Sequence, residues 1–321
     1  MTLLDVQNLR TYFTILRGAV KAVDGVSFQV ETGEAVGLAG ESGCGKTTCA
    51  LSILRILPWN GKIMEGKILF EGEDLVKLDD SEIRERIRWK GISIVFQGAM
   101  NAMNPVYKVG DQIVESITLH EPDVDKREAL ERTEKLLEMV GVDPTRANNY
   151  PHEFSGGMKQ RAMIAMALSC SPKLLIADEP GTALDVIVAA QVLKLLKELK
   201  RRLNLGMILI THDLSIIAET CERAAIMYAG KIAEYGDVVT IFKEPLHPYT
   251  QRLIGAFPSI KAARIRMVSI PGAPPDLLNP PSGCRFHERC LYAMDICRKE
   301  EPEFLDVGKG HYVSCHLVQK K

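Results

Sequence analysis

Short, wholly apolar runs alternate along this chain with longer stretches in which apolar residues recur every three or four positions. EAVGLAG, ISIVFQ, KLLIAD and GMILIT have the length and composition of buried strands. Between them, DKREALERTEKLLEMVGV places Leu130, Leu137 and Val140 near one helical face, and VAAQVLKLLKELKRR does the same with Val188, Val192, Leu195 and Leu199. The alternation predicts an α/β layered domain, with the charges of these segments on solvated faces. After Pro245 the pattern lapses. SIPGAPPDLLNPPSG holds too much proline for a regular helix or a central strand, so it predicts a linker or extended wrap leading to a small cysteine-bearing module. No repeat of fixed period is visible.

Composition narrows the class. At 321 residues the chain exceeds the size at which one core stops growing, so one large domain plus an appendage is expected. Apolar residues make up 46% and charged residues 25%, ordinary for a globular protein. A net charge of -1 gives no global positive field to recruit nucleic acid or anionic lipid. The start, MTLLDVQNLR, lacks the features of a secretory signal, and ALSILRIL is broken by Arg55 and ends at Pro58. The expected location is therefore cytoplasmic, with any membrane role peripheral. In a reducing compartment a cysteine cluster points to a metal site or redox device rather than disulfides.

The chemistry begins at GESGCGKTT, which fits G-x-x-x-x-G-K-[ST] with Gly40, Glu41, Ser42, Gly43, Cys44, Gly45, Lys46, Thr47 and Thr48. It follows an apolar strand and precedes a helical pattern. In that context backbone N–H groups turn toward phosphate oxygens, Lys46 supplies a charge to the β and γ phosphates, and Thr47 supplies a hydroxyl to Mg²⁺. About 130 residues on, KLLIADEP ends a strand in two carboxylates; Asp178 suits Mg²⁺, and Glu179 suits polarising the attacking water. In FSGGMKQR, Ser155, Gly156 and Gly157 open a helix and present a second anion-binding surface.

This combination resembles the ATP-binding cassette family, whose signature reads LSGGQ; here Phe154 and Met158 replace the outer residues. The resemblance covers residues 1 to about 255. It implies a P-loop NTPase fold with a RecA-like core plus antiparallel β and helical signature subdomains, the helical one at about 100–170. It implies that Gln97 in VFQG senses Mg²⁺ and the attacking water, that GTALD (181–185) is the D-loop, and that His212 in ITHD contacts the γ-phosphate. Phe13 takes the place of the aromatic that stacks on adenine, with Tyr12 as the fallback. One subunit's signature completes another's phosphate loop in this family, so a second ATPase partner is implied, a paralogue by the subfamily resemblance. Cys49, Cys170 and Cys221 read as small core hydrophobes, and Cys44 matters for its backbone N–H.

Cys284, Cys290, Cys297 and Cys315 follow the spacing C-x5-C-x6-C-x17-C, which matches neither zinc pairs nor ferredoxin runs. From the residues alone, metal ligation and unpaired core thiols both stay open. HPYT at 247–250, the proline-rich stretch and these cysteines together resemble the C-terminal extension of dipeptide and oligopeptide importer ATPases. That resemblance implies a 4Fe-4S cluster on the four thiols, with Zn²⁺ as the alternative. A tail so poor in apolar anchors would draw its folding free energy from metal–thiolate bonds, independently of ATP binding at Lys46.

The expected function is the ATP-hydrolysing subunit of a membrane importer of di- or oligopeptides. Two transmembrane permease subunits would be its partners, and an extracytoplasmic solute-binding protein would act with it indirectly. Residues 1–255 would be the nucleotide-binding domain and 256–321 the extension. The same transporter type serving oligosaccharides or nickel is an alternative, as is a soluble ATPase acting on nucleic acid or ribosomes. Long coiled-coil insertions or a second cassette would mark the soluble types, and the sequence has neither.

Overall fold

The structure is a computed structural model describing residues 1–98, 102–256 and 270–319. In chain order its elements begin with β1 (Thr2–Ile15), β2 (Gly18–Glu31), β3 (Ala35–Ala39), α1 (Lys46–Ile53), β4 (Gly61–Phe70) and β5 (Glu73–Asp74). A single turn α2 (Asp80–Glu82), β6 (Ile92–Val95), α3 (Val109–His120), α4 (Lys126–Met139), α5 (Gly156–Ala167), β7 (Leu174–Asp178), α6 (Val186–Leu203) and β8 (Gly206–Ile210) follow. The remainder holds α7 (Leu214–Thr220), β9 (Arg223–Tyr228), β10 (Lys231–Asp237), α8 (Val238–Lys243), α9 (Pro248–Gly255), α10 (Asp295–Lys299), β11 (Leu305–Asp306), β12 (Tyr312–Val313) and α11 (His316–Gln319).

The chain forms two compact units. One, the loop unit, comprises Thr2–Val30, Ala35–Lys77 and Ile210–Lys321 and carries GESGCGKTT; the other, the signature unit, comprises Met1, Glu31–Glu34 and Leu78–Leu209 and carries FSGGMKQR. In the loop unit an antiparallel sheet runs β2-β1-β4-β5, and a second sheet runs β11-β12-β10-β9-β3 with β3 and β9 parallel. In the signature unit the strand order is β8-β7-β6, with β6 and β7 parallel. Every residue of β3, β7 and β8 is buried, as parallel strands covered on both faces require. These are the runs the apolar pattern predicted.

The helices follow their stripes with one correction. In α6, Val192, Leu195 and Leu199 are buried with Leu196, and Val188 is half-buried. In α4 the buried stripe is Ala129, Thr133 and Leu137, followed by Val140, and Leu130 is 44% exposed. The small Ala129 and a threonine whose hydroxyl donates to its own Ala129 carbonyl at 2.8 Å occupy the face that the leucine was expected to share. Residues 270–283 form no regular element, as their prolines demand, and the Lys21 N–H donates to the Leu277 carbonyl at 2.9 Å, laying this stretch along β2. The expected boundary after 255 adjoins residues 257–269, and the start of the helical subdomain touches 99–101; both lie outside the described residues. The described part of the extension groups with the phosphate loop in one unit.

Candidate active site

In the loop unit, β3 ends at Ala39 and the chain turns through Gly40–Gly45 into α1. A Cβ at Gly40 would stand 2.1 Å from the Met227 carbonyl oxygen and one at Gly45 would stand 2.2 Å from that of Ala22, both at positive φ, so glycine is required for the loop to close this tightly. Gly45 caps α1 without a side chain, which leaves the first-turn N–H groups to an anion. Lys46 is 7% exposed, and its ammonium donates to the carbonyls of Gly40 at 2.8 Å and Glu41 at 3.1 Å. Burial pushes the Cys44 thiol up, against the pull of Lys46. Thr47 and Ser42 are exposed and Thr48 is half-buried.

Glu41 is differently placed. Its N–H donates to Tyr249 Oη at 3.0 Å and its carboxylate receives Arg289 in a bidentate pair, so both groups face protein. Phe13 pairs with Gly61 across β1 and β4, its ring edge 2.8 Å from where a Cβ at 61 would stand. The Tyr12 hydroxyl donates to Asp24 at 2.7 Å, which commits the fallback residue to the fold. His212, two residues beyond β8, is exposed.

In the signature unit Asp178 closes β7 and is 1% exposed. Glu179 follows at φ 46°, a left-handed conformation uncommon for a non-glycine residue. One of its carboxylate oxygens accepts from Gln97 Nε2 at 3.0 Å and Thr182 Oγ1 at 2.9 Å. Gln97 and Glu179, 82 positions apart in sequence, are thus in contact; Thr182 lies in GTALD, where the sequence pattern gives it no role of its own. Ser155 caps α5, its hydroxyl accepting from the Met158 N–H at 3.3 Å, while Phe154 is buried beneath. A Cβ at Gly157 would stand 2.6 Å from Val188 Cγ1, so the second glycine of the signature lets α6 approach α5. Asp185, the last residue of GTALD, caps α6, accepting from the Val188 N–H at 2.9 Å. Among the described residues no helix is long and apolar enough to cross a membrane.

Cys49, Cys170 and Cys221 are buried core groups, as expected, and the Cys44 side chain is buried too. The terminal four converge within the loop unit. Cys297 and Cys315 are buried, Cys284 and Cys290 half-buried, and the Cys284 N–H donates to the Cys297 carbonyl at 2.8 Å. Burial pushes the Cys284 thiol up to about 12, and the other three sulfurs push it the same way. Cys315 is raised by burial and then by Cys290 and Cys297, and Cys290 by burial and then by Cys297, so every pair among the four is within electrostatic reach. The expected closed cage is not present as such. Among the described residues no group of three or more His, Cys, Asp or Glu side chains is arranged to hold a metal ion.

Comparison with known proteins adds the following. The ABC transporter family model matches residues 23–182, and the model for the oligopeptide/dipeptide transporter C-terminal region matches residues 233–297. The chain is 47% identical over 317 residues to a probable peptide ABC transporter ATP-binding protein, y4tR, of Sinorhizobium fredii, covering 98% of this chain and 94% of that one. It is 46% identical to the dipeptide transport ATP-binding protein DppD of Bacillus subtilis, covering 99% and 95%. Among solved structures, the ATP-binding cassette MJ0796, dimeric in a post-hydrolysis state with ADP and Pi, covers 73% of this chain and 98% of its own with a TM-score of 0.65 and 26% identity. With the glycine-closed loop around Lys46, the Gln97–Glu179 contact and the serine-capped signature helix in place, the chain belongs to the ABC transporter ATP-binding proteins, in the branch that carries the oligopeptide/dipeptide C-terminal region.

Proposed function

We infer that the chain hydrolyses ATP as the energy-coupling subunit of an importer for di- and oligopeptides. The observation that carries this reading is the peptide-transporter region at 233–297 in a chain whose Glu179 carboxylate is held by Gln97 and Thr182. Lys46 and the N–H groups of the Gly40–Thr48 loop would hold the β and γ phosphates, with Glu41 supporting the loop from behind. Thr47, Asp178 and Gln97 supply hard oxygen donors of the kind Mg²⁺ prefers. Glu179 would draw the proton of the attacking water, His212 would meet the γ-phosphate, and Phe13 would lie on adenine. Ser155, Gly156 and Gly157 would face the nucleotide of a second ATPase subunit, a paralogue, and a permease pair would receive the motion. We take residues 1–255 as the nucleotide-binding domain and 256–321 as the extension.

The four terminal cysteines are assigned to a 4Fe-4S cluster. Four thiols within electrostatic reach of one another form a soft-ligand set, and the likeness of HPYT, the proline-rich stretch and the cysteines to the peptide-importer extension favours the cluster over zinc. When bound, the cluster would supply thiolate bonds that hold the tail together.

The function is tested by purifying the chain with the proteins that accompany it and returning the assembly to vesicles. A second ATPase and two membrane subunits are expected, with hydrolysis that rises when a peptide-loaded binding protein is added. Association with ribosomes or nucleic acid, or stimulation by a sugar- or nickel-loaded binding protein in place of the peptide, would overturn the reading.

A further inference from the structure

Arg289 lies in the extension, next to Cys290, yet its guanidinium sits against the phosphate loop. Its Nη1 and Nη2 donate to the two carboxylate oxygens of Glu41 at 2.6 and 2.9 Å. The remaining donors are also committed: Nε to the Pro271 carbonyl at 2.8 Å, Nη1 to Tyr228 Oη at 3.2 Å and Nη2 to the Ile270 carbonyl at 3.5 Å. The Arg289 side chain is 6% exposed and Glu41 25%, so the pair is largely withdrawn from water. Side-chain hydrogen bonding to Glu41 leads the effects that raise the Arg289 pKa above its already high value.

Glu41 is the first variable residue of GESGCGKTT, and it is gripped on three sides. Its N–H goes to Tyr249 Oη, its carbonyl to the Lys46 ammonium and its carboxylate to Arg289. Two of those three grips come from the C-terminal part of the chain. Tyr249, wholly buried, and Phe286 pack with Tyr228 into one aromatic cluster with centroids 4.7 to 5.4 Å apart, which backs this corner of the loop. A carboxylate beside a triphosphate repels it unless its charge is met. The planar fork of arginine meets it and fixes its direction; a lysine ammonium would do only the first.

We propose that Arg289 is a positioning residue of the nucleotide site, acting through Glu41 to neutralise and anchor the phosphate loop, so that the extension is a working part of ATP binding. The proposal rests on nucleotide binding by the Lys46 loop. It revises the expectation that the tail and the nucleotide site act independently.

The test measures MgATP affinity by calorimetry and the steady-state constants for hydrolysis on the full chain. Replacing Arg289→Ala removes a bidentate, charge-assisted pair beside the ligand and is expected to weaken MgATP about tenfold, seen as a raised KM with kcat within about twofold. Arg289→Lys should recover only part of that loss. In a Glu41→Gln background, Arg289→Ala should cost less than about threefold, since the charge it answers is gone. Glu41→Asp, which keeps the charge but withdraws it from the fork, should weaken MgATP at least about threefold and does not depend on any Arg289 variant folding. MgATP binding at wild-type affinity by either Arg289→Ala or Glu41→Asp would overturn the proposal, as would an equal loss from Arg289→Ala in both backgrounds. A wild-type chain that fails to bind MgATP would instead overturn the nucleotide reading itself.

Discussion

Glu179 occupies a backbone region that glutamate rarely enters, and its side chain is held there from two directions, by Gln97 and by Thr182. Conformations of this kind cost about 1 to 3 kcal/mol and persist where the surroundings fix them, commonly at reactive sites. Glutamine has the same shape but cannot take a proton from water. Glu179→Gln should therefore retain MgATP while hydrolysis in a single-turnover assay falls by about 10²- to 10⁴-fold. Turnover within tenfold of wild type would remove Glu179 as the base. This residue was legible because a wholly apolar strand announces where its carboxylates emerge. The contact that Thr182 of GTALD makes with it, and the part of Arg289, were not. A threonine four residues past the strand looks like any turn hydroxyl, and Arg289 meets Glu41 from 248 positions away, in a stretch whose periodicity says nothing about where it folds back.

At the scale of elements, the wholly buried strands β3, β7 and β8 could be read because strands covered on both faces leave an almost unbroken apolar run. The long strands β1 and β2 lacked such a signal. Their alternation is interrupted, for β1 by Asn8 at φ 47° and by register shifts between Gln7 and Thr11. HPYT was recognisable as a family mark without a physical reason, and the structure supplies one. Glu234 of β10, fully buried, accepts from the N–H groups of Leu246 at 2.9 Å and His247 at 3.0 Å, fixing the turn into α9. His247 then caps α9, its Nδ1 accepting from the Tyr249 N–H at 3.0 Å, with Pro248 at the first helical position. Burial drives the His247 pKa down from 6.5 to about 4, against the attraction of Glu234. Between those two values the unfolded chain binds a proton that the folded chain refuses, so stability falls as pH falls through that window and this contribution is complete below about 4. The loss reaches about 3 kcal/mol at most. His247→Asn keeps a capping side chain and removes the titration. Its unfolding free energy, followed by denaturant titration from pH 7 to pH 4, should decline less steeply than that of wild type. Parallel slopes would show that His247 is not the titrating group.

At the scale of the molecule, the phosphate loop and the cysteine module lie at opposite ends of the sequence and in one compact unit, tied by the Arg289–Glu41 pair and the aromatic cluster behind it. Burial holds the Cys284 thiol well above its ordinary value, so metal binding there would have to displace its proton. On the cluster reading, metal–thiolate bonds would help to hold this segment, and Arg289 directly precedes one of the four sulfurs, Cys290. Nucleotide affinity should therefore respond to the metal. Chain purified without oxygen should be brown, carry about four irons, and lose both colour and iron in Cys315→Ser. Chelating the iron from wild type should weaken MgATP by about as much as Arg289→Ala does with the metal in place. The same treatment of the Arg289→Ala variant should add little, because the link through which the module acts is already cut. Wild type that keeps its MgATP affinity after complete removal of iron would show that the loop is held without the cluster, whatever else the cluster does.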